Sequence, residues 1–84
     1  MNGLTELPNI GRGIAADLQK AGISTTEELK QIGSKEALLR IRLHSDSGAC
    51  FNKLCALEGA LQGIRWHFLS GEVKTNLKQF YKSL

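Results

Sequence analysis

Between residues 50 and 64 the chain repeats an apolar residue with helical spacing: Cys50, Leu54, Leu57, Leu61 and Ile64 fall at i, i+4, i+7, i+11 and i+14. At about 3.6 residues per turn these positions lie on one stripe of an α-helix, so this stretch is read as a long helix. Ala56, Gly59, Ala60 and Gly63 interleave with the stripe. Two glycines inside a helix cost roughly 1 kcal/mol each relative to alanine. The compensation expected here is a close approach of another backbone at Gly59 and Gly63. A chain organised around such a helix is all-α, and the rest of the sequence agrees: one proline, five aromatic residues and no alternating β-branched runs.

Shorter helices precede and follow it. Ile14, Leu18 and Ala21 follow i, i+4, i+7, with Gly22 as a stop. Thr25 and Glu28 have the spacing of a capping box opening a helix from Thr26 to Ile32, which Gly33 closes. Ser34 can cap the next helix, running to about Leu43 with Ala37, Leu38, Ile41 and Leu43 inward. A turn is expected around Asp46-Ser47-Gly48. Ser70 caps a last helix with Val73, Leu77, Phe80, Tyr81 and Leu84 on one face and Lys74, Lys78 and Lys82 on the other. The fold class is therefore all-α with five or six helices, in a single domain spanning residues 1–84.

Size and charge narrow the function classes. A chain of 84 residues and 9.2 kDa buries roughly 8,400 Å² of about 13,300 Å² on folding, enough for one modest core but not for a large internal active site. No apolar run approaches the roughly 18 residues needed to span a bilayer. The N-terminal Met-Asn-Gly-Leu-Thr-Glu lacks the basic and apolar regions of a signal peptide, so the expected location is the cytoplasm, with no membrane partner. Cys50 and Cys55 would point about 140° apart on a helix, which disfavours a disulfide, and two thiols with no nearby histidine make no zinc site. They are read as buried or half-buried thiols in a reducing compartment. The net charge is +3, and all of the excess lies in residues 65–84, where Arg65, Lys74, Lys78 and Lys82 face Glu72 alone. That asymmetry hints at a polyanionic partner.

Sliding the chain by 22 residues aligns Leu7, Ile10, Gly11 and Ala15 with Leu29, Ile32, Gly33 and Ala37, giving the shared pattern Leu-x-x-Ile-Gly-x-x-x-Ala. Both copies fall on predicted helix junctions. The first, Leu7-Pro8-Asn9-Ile10-Gly11-Arg12-Gly13-Ile14-Ala15, resembles the helix-hairpin-helix motif, and the second resembles its latter half. The resemblance implies backbone N–H groups and a helix N-terminus aimed at a DNA phosphate, completed by a nearby lysine or arginine. Gly11, Arg12 and Gly13 form one candidate phosphate site, and Gly33, Ser34 and Lys35 the other. The usual first glycine of the motif is Asn9 in the first copy and Gln31 in the second. Asparagine accepts a left-handed backbone more readily than glutamine. The usual basic position is Gly13 in the first copy, beside Arg12, and Lys35 in the second. At each junction a purely structural role stands beside phosphate binding.

A broader resemblance covers nearly the whole chain. Leu7-Pro8-Asn9-Ile10-Gly11, Gly33-Ser34-Lys35-Glu36-Ala37, Leu39-Arg40-Ile41-Arg42-Leu43 and the block from Ala56 to His67, ending Gly63-Ile64-Arg65-Trp66-His67, resemble the C-terminal domain of the TfoX/Sxy family. That family contains bacterial regulators of competence for DNA uptake, usually with a separate N-terminal domain. Here the chain starts close to the first hairpin. The resemblance implies a regulatory module, and the architecture expected is two helix-hairpin-helix-like (SAM-like) units followed by a long helix and a C-terminal amphipathic helix.

Trp66, His67 and Phe68, with Arg65 beside them, form a candidate partner-docking or nucleic-acid-stacking patch, in which Arg65, Trp66 and His67 are the candidate partner-binding residues. The competing reading places Trp66 and Phe68 in the junction of the last two helices, because a chain with so few aromatics needs its tryptophan for the core. His44 and His67 have no ligand neighbours at metal spacing and are read as surface histidines. Lys74, Lys78 and Lys82 either track phosphates or form the solvated face of their helix. At least one of Arg40 and Arg42 is expected to pair with a carboxylate. No nucleophile elbow, Walker loop or His-Glu-x-x-His pair occurs, so the chain is read as non-catalytic and without a cofactor. Two function classes follow: sequence-independent association with DNA or with a DNA-bound regulator, and a protein–protein or homodimerisation module with no nucleic-acid role.

Overall fold

The computed structural model of the protein describes residues 3–45 and 50–84, so the turn expected around Asp46-Ser47-Gly48 lies outside the described residues. A 3₁₀ turn, Leu4–Glu6, leads to α1 (Arg12–Lys20). Then follow α2 (Thr26–His44), α3 (Phe51–Gln62), a second 3₁₀ turn (Trp66–Phe68) and α4 (Gly71–Lys82). Among the described residues there is no strand and no helix long and apolar enough to cross a membrane.

The class is all-α, but the helices number four rather than five or six. Thr26 to Ile32 and the run beginning at Ser34 abut with no loop between them. Gly33 alone breaks the helical backbone, at φ 83° and ψ 170°, a region essentially reserved for glycine. Helix α2 is therefore two helical segments, 26–32 and 34–44, that meet at Gly33 without a loop.

Local signals set most of the boundaries. The Thr25 side chain accepts from the Glu28 N–H at 3.1 Å while a Glu28 carboxylate oxygen accepts from the Thr25 N–H at 3.2 Å. Ser70 accepts from the Val73 N–H at 3.1 Å and opens α4. Gly22 (φ 85°) ends α1 in a Schellman turn, with Ile23 N–H bonded to Leu18 C=O at 2.8 Å. Gly63 (φ 76°) ends α3 the same way, with Ile64 N–H on Gly59 C=O at 2.9 Å. The long helix thus stops at Gln62, two residues short of Ile64. Gly63 is its left-handed terminator, not a point of backbone approach: nothing lies within 4 Å of the position its Cβ would take.

The core is aliphatic. Leu18, Ile23, Leu29, Leu38, Ile41, Leu54, Leu57 and Leu77 are fully buried, where α1 and α3 pack on α2 and α4 closes on α3. The accessible surface, 4964 Å², matches the roughly 4,900 Å² expected for a folded chain of this mass. Beneath the apolar layer Asp17 of α1 is buried, with Lys53 of α3 at 2.7 Å and the Ser45 hydroxyl at 2.8 Å.

Several side chains lie elsewhere than the periodicity placed them. Leu43 is 79% exposed, because the second half of α2 buries the Ala37–Leu38–Ile41 side and turns Leu43 outward. Cys50 is the exposed residue preceding α3, and Leu84 follows the end of α4 and is exposed. Trp66 (42% exposed) and Phe68 (70% exposed) do not plug the last helix junction: Leu69 and Leu77 are the buried residues there.

Candidate functional site

The two junctions that share a sequence pattern have different backbones. In the first, Asn9 takes the left-handed conformation at φ 69°, alone among the described non-glycine residues. Its amide also holds the end of α3 and the turn beyond it. Asn9 Nδ2 donates to Ile64 C=O at 2.9 Å and to Ala56 C=O at 3.4 Å, and Oδ1 accepts from the Trp66 N–H at 3.1 Å.

Gly59 makes room for this clasp. A Cβ there would lie 2.6 Å from Asn9 Nδ2, 2.9 Å from Ile64 O and 3.1 Å from Trp66 Cα. The close approach expected at Gly59 is therefore present. It is made by the chain's own turn and by the residue standing where the hairpin motif has glycine.

The clasp joins the loop before α1 to the Arg65–Trp66 segment as one surface. A cleft of about 360 Å³ lies between them, lined by Asn9, Ile14, Asn52, Lys53, Arg65 and Trp66. Between Asn9 and Ile14, which line it, Gly11, Arg12 and Gly13 are all exposed. No atom lies within 4 Å of where a Cβ would sit on Gly11 or Gly13. The first intrahelical bond of α1 is Ala15 N–H to Gly11 C=O, at 3.0 Å. The N–H groups of Arg12, Gly13 and Ile14 precede it and carry the positive end of the helix dipole.

At the second junction Gln31 is helical and the left-handed residue is Gly33 itself. Ser34 is buried and does not cap; its hydroxyl donates to Glu58 Oε1 at 2.6 Å, and Glu58 Oε2 accepts from Gln62 Nε2 at 2.8 Å. Lys35 turns its ammonium over the Phe80 ring, 5.5 Å from the centroid. Glu58 and Glu72 both line the adjoining cleft of about 470 Å³. A phosphate approaching Gly33, Ser34 and Lys35 would meet two carboxylates, one of them already accepting the serine proton.

The remaining candidates sort by surface. Trp66, His67 and Phe68 form a chain of touching rings, with centroids 5.2 Å and 5.1 Å apart and planes inclined at 87° and 49°. Lys74 is half-buried and donates to His67 C=O at 3.4 Å, whereas Lys78 and Lys82 are exposed. Arg40 pairs with Glu36 at 3.1 Å, as its spacing predicts. His44 and His67 are exposed, and no group of three metal-ligating side chains occurs among the described residues. Burial pushes the Cys55 thiol above its ordinary pKa, partly opposed by the Lys74 charge nearby.

Sequence reasoning missed two residues that shape these surfaces. The one signal for Asn9 is its departure from the glycine of the motif. Nothing in the sequence marks Glu58 as the partner of Ser34.

A family model for the TfoX C-terminal domain matches residues 1–81. No curated protein matches the chain. Among solved structures, an uncharacterized protein from Listeria monocytogenes in a triclinic crystal form is similar, with 56% identity, a TM-score of 0.92 and coverage of 98% of this chain and 92% of that one. A protein of unknown function from Listeria monocytogenes, in a tetragonal form, is similar at 57% identity, with a TM-score of 0.90 and coverage of 95% and 98%.

Proposed function

Because this chain belongs to the TfoX C-terminal domain family, we propose that it is a cytoplasmic, non-catalytic regulatory module that associates with the DNA backbone, alone or beside a DNA-bound regulator. The observation that supports this reading is the Asn9 clasp, which ties the loop leading into the open, glycine-flanked start of α1 to the backbone of Ile64 and Trp66. Gly11 and Gly13 let a phosphate approach the α1 backbone donors without meeting a side chain. The exposed Arg12 at the start of α1 and Arg65 in the cleft lining supply positive charge. Such contacts are made to phosphates and carry no base information, so the association is independent of sequence.

The second junction has a structural role in this reading: its serine and lysine already have partners within the fold, and Glu58 and Glu72 repel a phosphate. Fluorescence anisotropy of a labelled duplex tests the proposal. Two phosphate contacts predict an affinity that falls about tenfold between roughly 50 and 200 mM salt. Binding that does not change with salt, or none at the lower salt, overturns it.

A further inference from the structure

Phe68 is the most exposed aromatic side chain of the described residues and takes no part in the first junction. It is also the end of a contiguous strip. Its ring touches His67, the His67 carbonyl accepts from Lys74 Nζ, and Lys78 and Lys82 continue along α4 at one-turn spacing. Glu72 does not interrupt this strip. It is two residues from Lys74, about 200° around the helix, and lines the clefts on the other side. The surface is thus an apolar knob leading into a row of like charges.

We propose that this strip is a docking surface for an acidic amphipathic helix of a protein partner, independent of the DNA reading above. Charge complementarity chooses the occupant: carboxylates at i, i+4 and i+8 on the partner match the register of Lys74, Lys78 and Lys82, and an apolar residue at the end of that helix covers Phe68. The ring geometry argues against single-stranded nucleic acid as the occupant. Successive bases stack on open aromatic faces, whereas Trp66 and His67 meet edge to face and His67 and Phe68 are tilted at 49°.

Trp66 is the chain's one tryptophan, so its emission reports on the strip directly. The test is a fluorescence titration of the whole chain with a synthetic helical peptide carrying Glu at i, i+4 and i+8 and leucines on one face. The same peptide with Lys in place of Glu, and an oligothymidylate, are titrated in parallel. The acidic peptide should bind and the lysine peptide should not. The oligothymidylate should bind only through the first junction and be unaffected by Phe68→Ser. Phe68→Ser and Lys78→Glu should each weaken it by about tenfold. Both residues are exposed, and circular dichroism should show both variants folded. Equal binding of both peptides, no binding of the acidic peptide, an unchanged affinity in Phe68→Ser, or oligothymidylate binding that is lost in Phe68→Ser overturns the proposal.

Discussion

Replacing Gly59 with alanine separates the close-packing account from ordinary helix propensity, because the two predict opposite signs. An interior helical glycine changed to alanine gains roughly 1 kcal/mol from propensity where the new methyl meets nothing. At Gly59 the methyl would sit 2.9 Å from the Ile64 carbonyl oxygen and 3.1 Å from Trp66 Cα, both backbone, and 2.6 Å from Asn9 Nδ2. Overpacking of this kind costs roughly 1–3 kcal/mol. Displacing the Asn9 amide also gives up its bonds to Ile64 and Trp66, at roughly 0.5–1.5 kcal/mol each. Together these exceed the propensity gain, leaving a net loss of about 3 kcal/mol. Urea unfolding followed by circular dichroism measures it. In an Asn9→Gly background, which keeps the left-handed backbone and removes the amide, the same substitution should cost at least about 1 kcal/mol less. A Gly59→Ala variant more stable than wild type, or one whose cost is the same in both backgrounds, would refute the reasoning.

Other substitutions probe the remaining features. Gly33→Ala should destabilise by roughly 1–3 kcal/mol because φ 83° and ψ 170° suit glycine alone. Gly13→Ala, in open space at the start of α1, should instead stabilise by about 0.4–1 kcal/mol; thermal unfolding distinguishes the two. Lys53→Met leaves the buried Asp17 carboxylate without its cation and should cost roughly 3 kcal/mol. Adding Asp17→Asn should recover part of that loss, as read in denaturant midpoints. A maleimide at neutral pH should modify the exposed Cys50 quickly and the buried Cys55 only on unfolding, which mass spectrometry follows. Because burial raises the Cys55 pKa in the fold, the unfolded thiol ionises first, so stability should fall as pH rises above about 9 and be unaffected by this group at lower pH.

The parts of this fold that were legible in the sequence are those decided by neighbours in the chain. The Thr25–Glu28 capping box, the Gly22 stop, the Ser70 cap and the Arg40–Glu36 pair each need only a few residues of context, and each stands where the spacing put it. The repeat was legible as letters and misleading as structure. Its two copies share Ile and Gly, yet the left-handed residue is Asn9 in one and Gly33 in the other. What distinguishes them lies far along the chain: Asn9 is held by residues 56–66, and Ser34, which has the letter of a cap, by Glu58. Composition misplaced Trp66 and Phe68 for a related reason. Eight large aliphatic side chains already fill the interior, so a scarce aromatic is not thereby a buried one.

In the proposed function the first junction, and not the second, meets the DNA backbone. This is tested most directly by measuring duplex affinity for Arg12→Glu, Arg65→Glu and Lys35→Glu side by side at about 50 mM salt. Arg12→Glu and Arg65→Glu should each weaken binding by roughly tenfold and flatten its salt dependence, while Lys35→Glu stays within about threefold of wild type. Loss of binding in Lys35→Glu with Arg12→Glu unchanged would contradict the account and move the phosphate contact to the second junction.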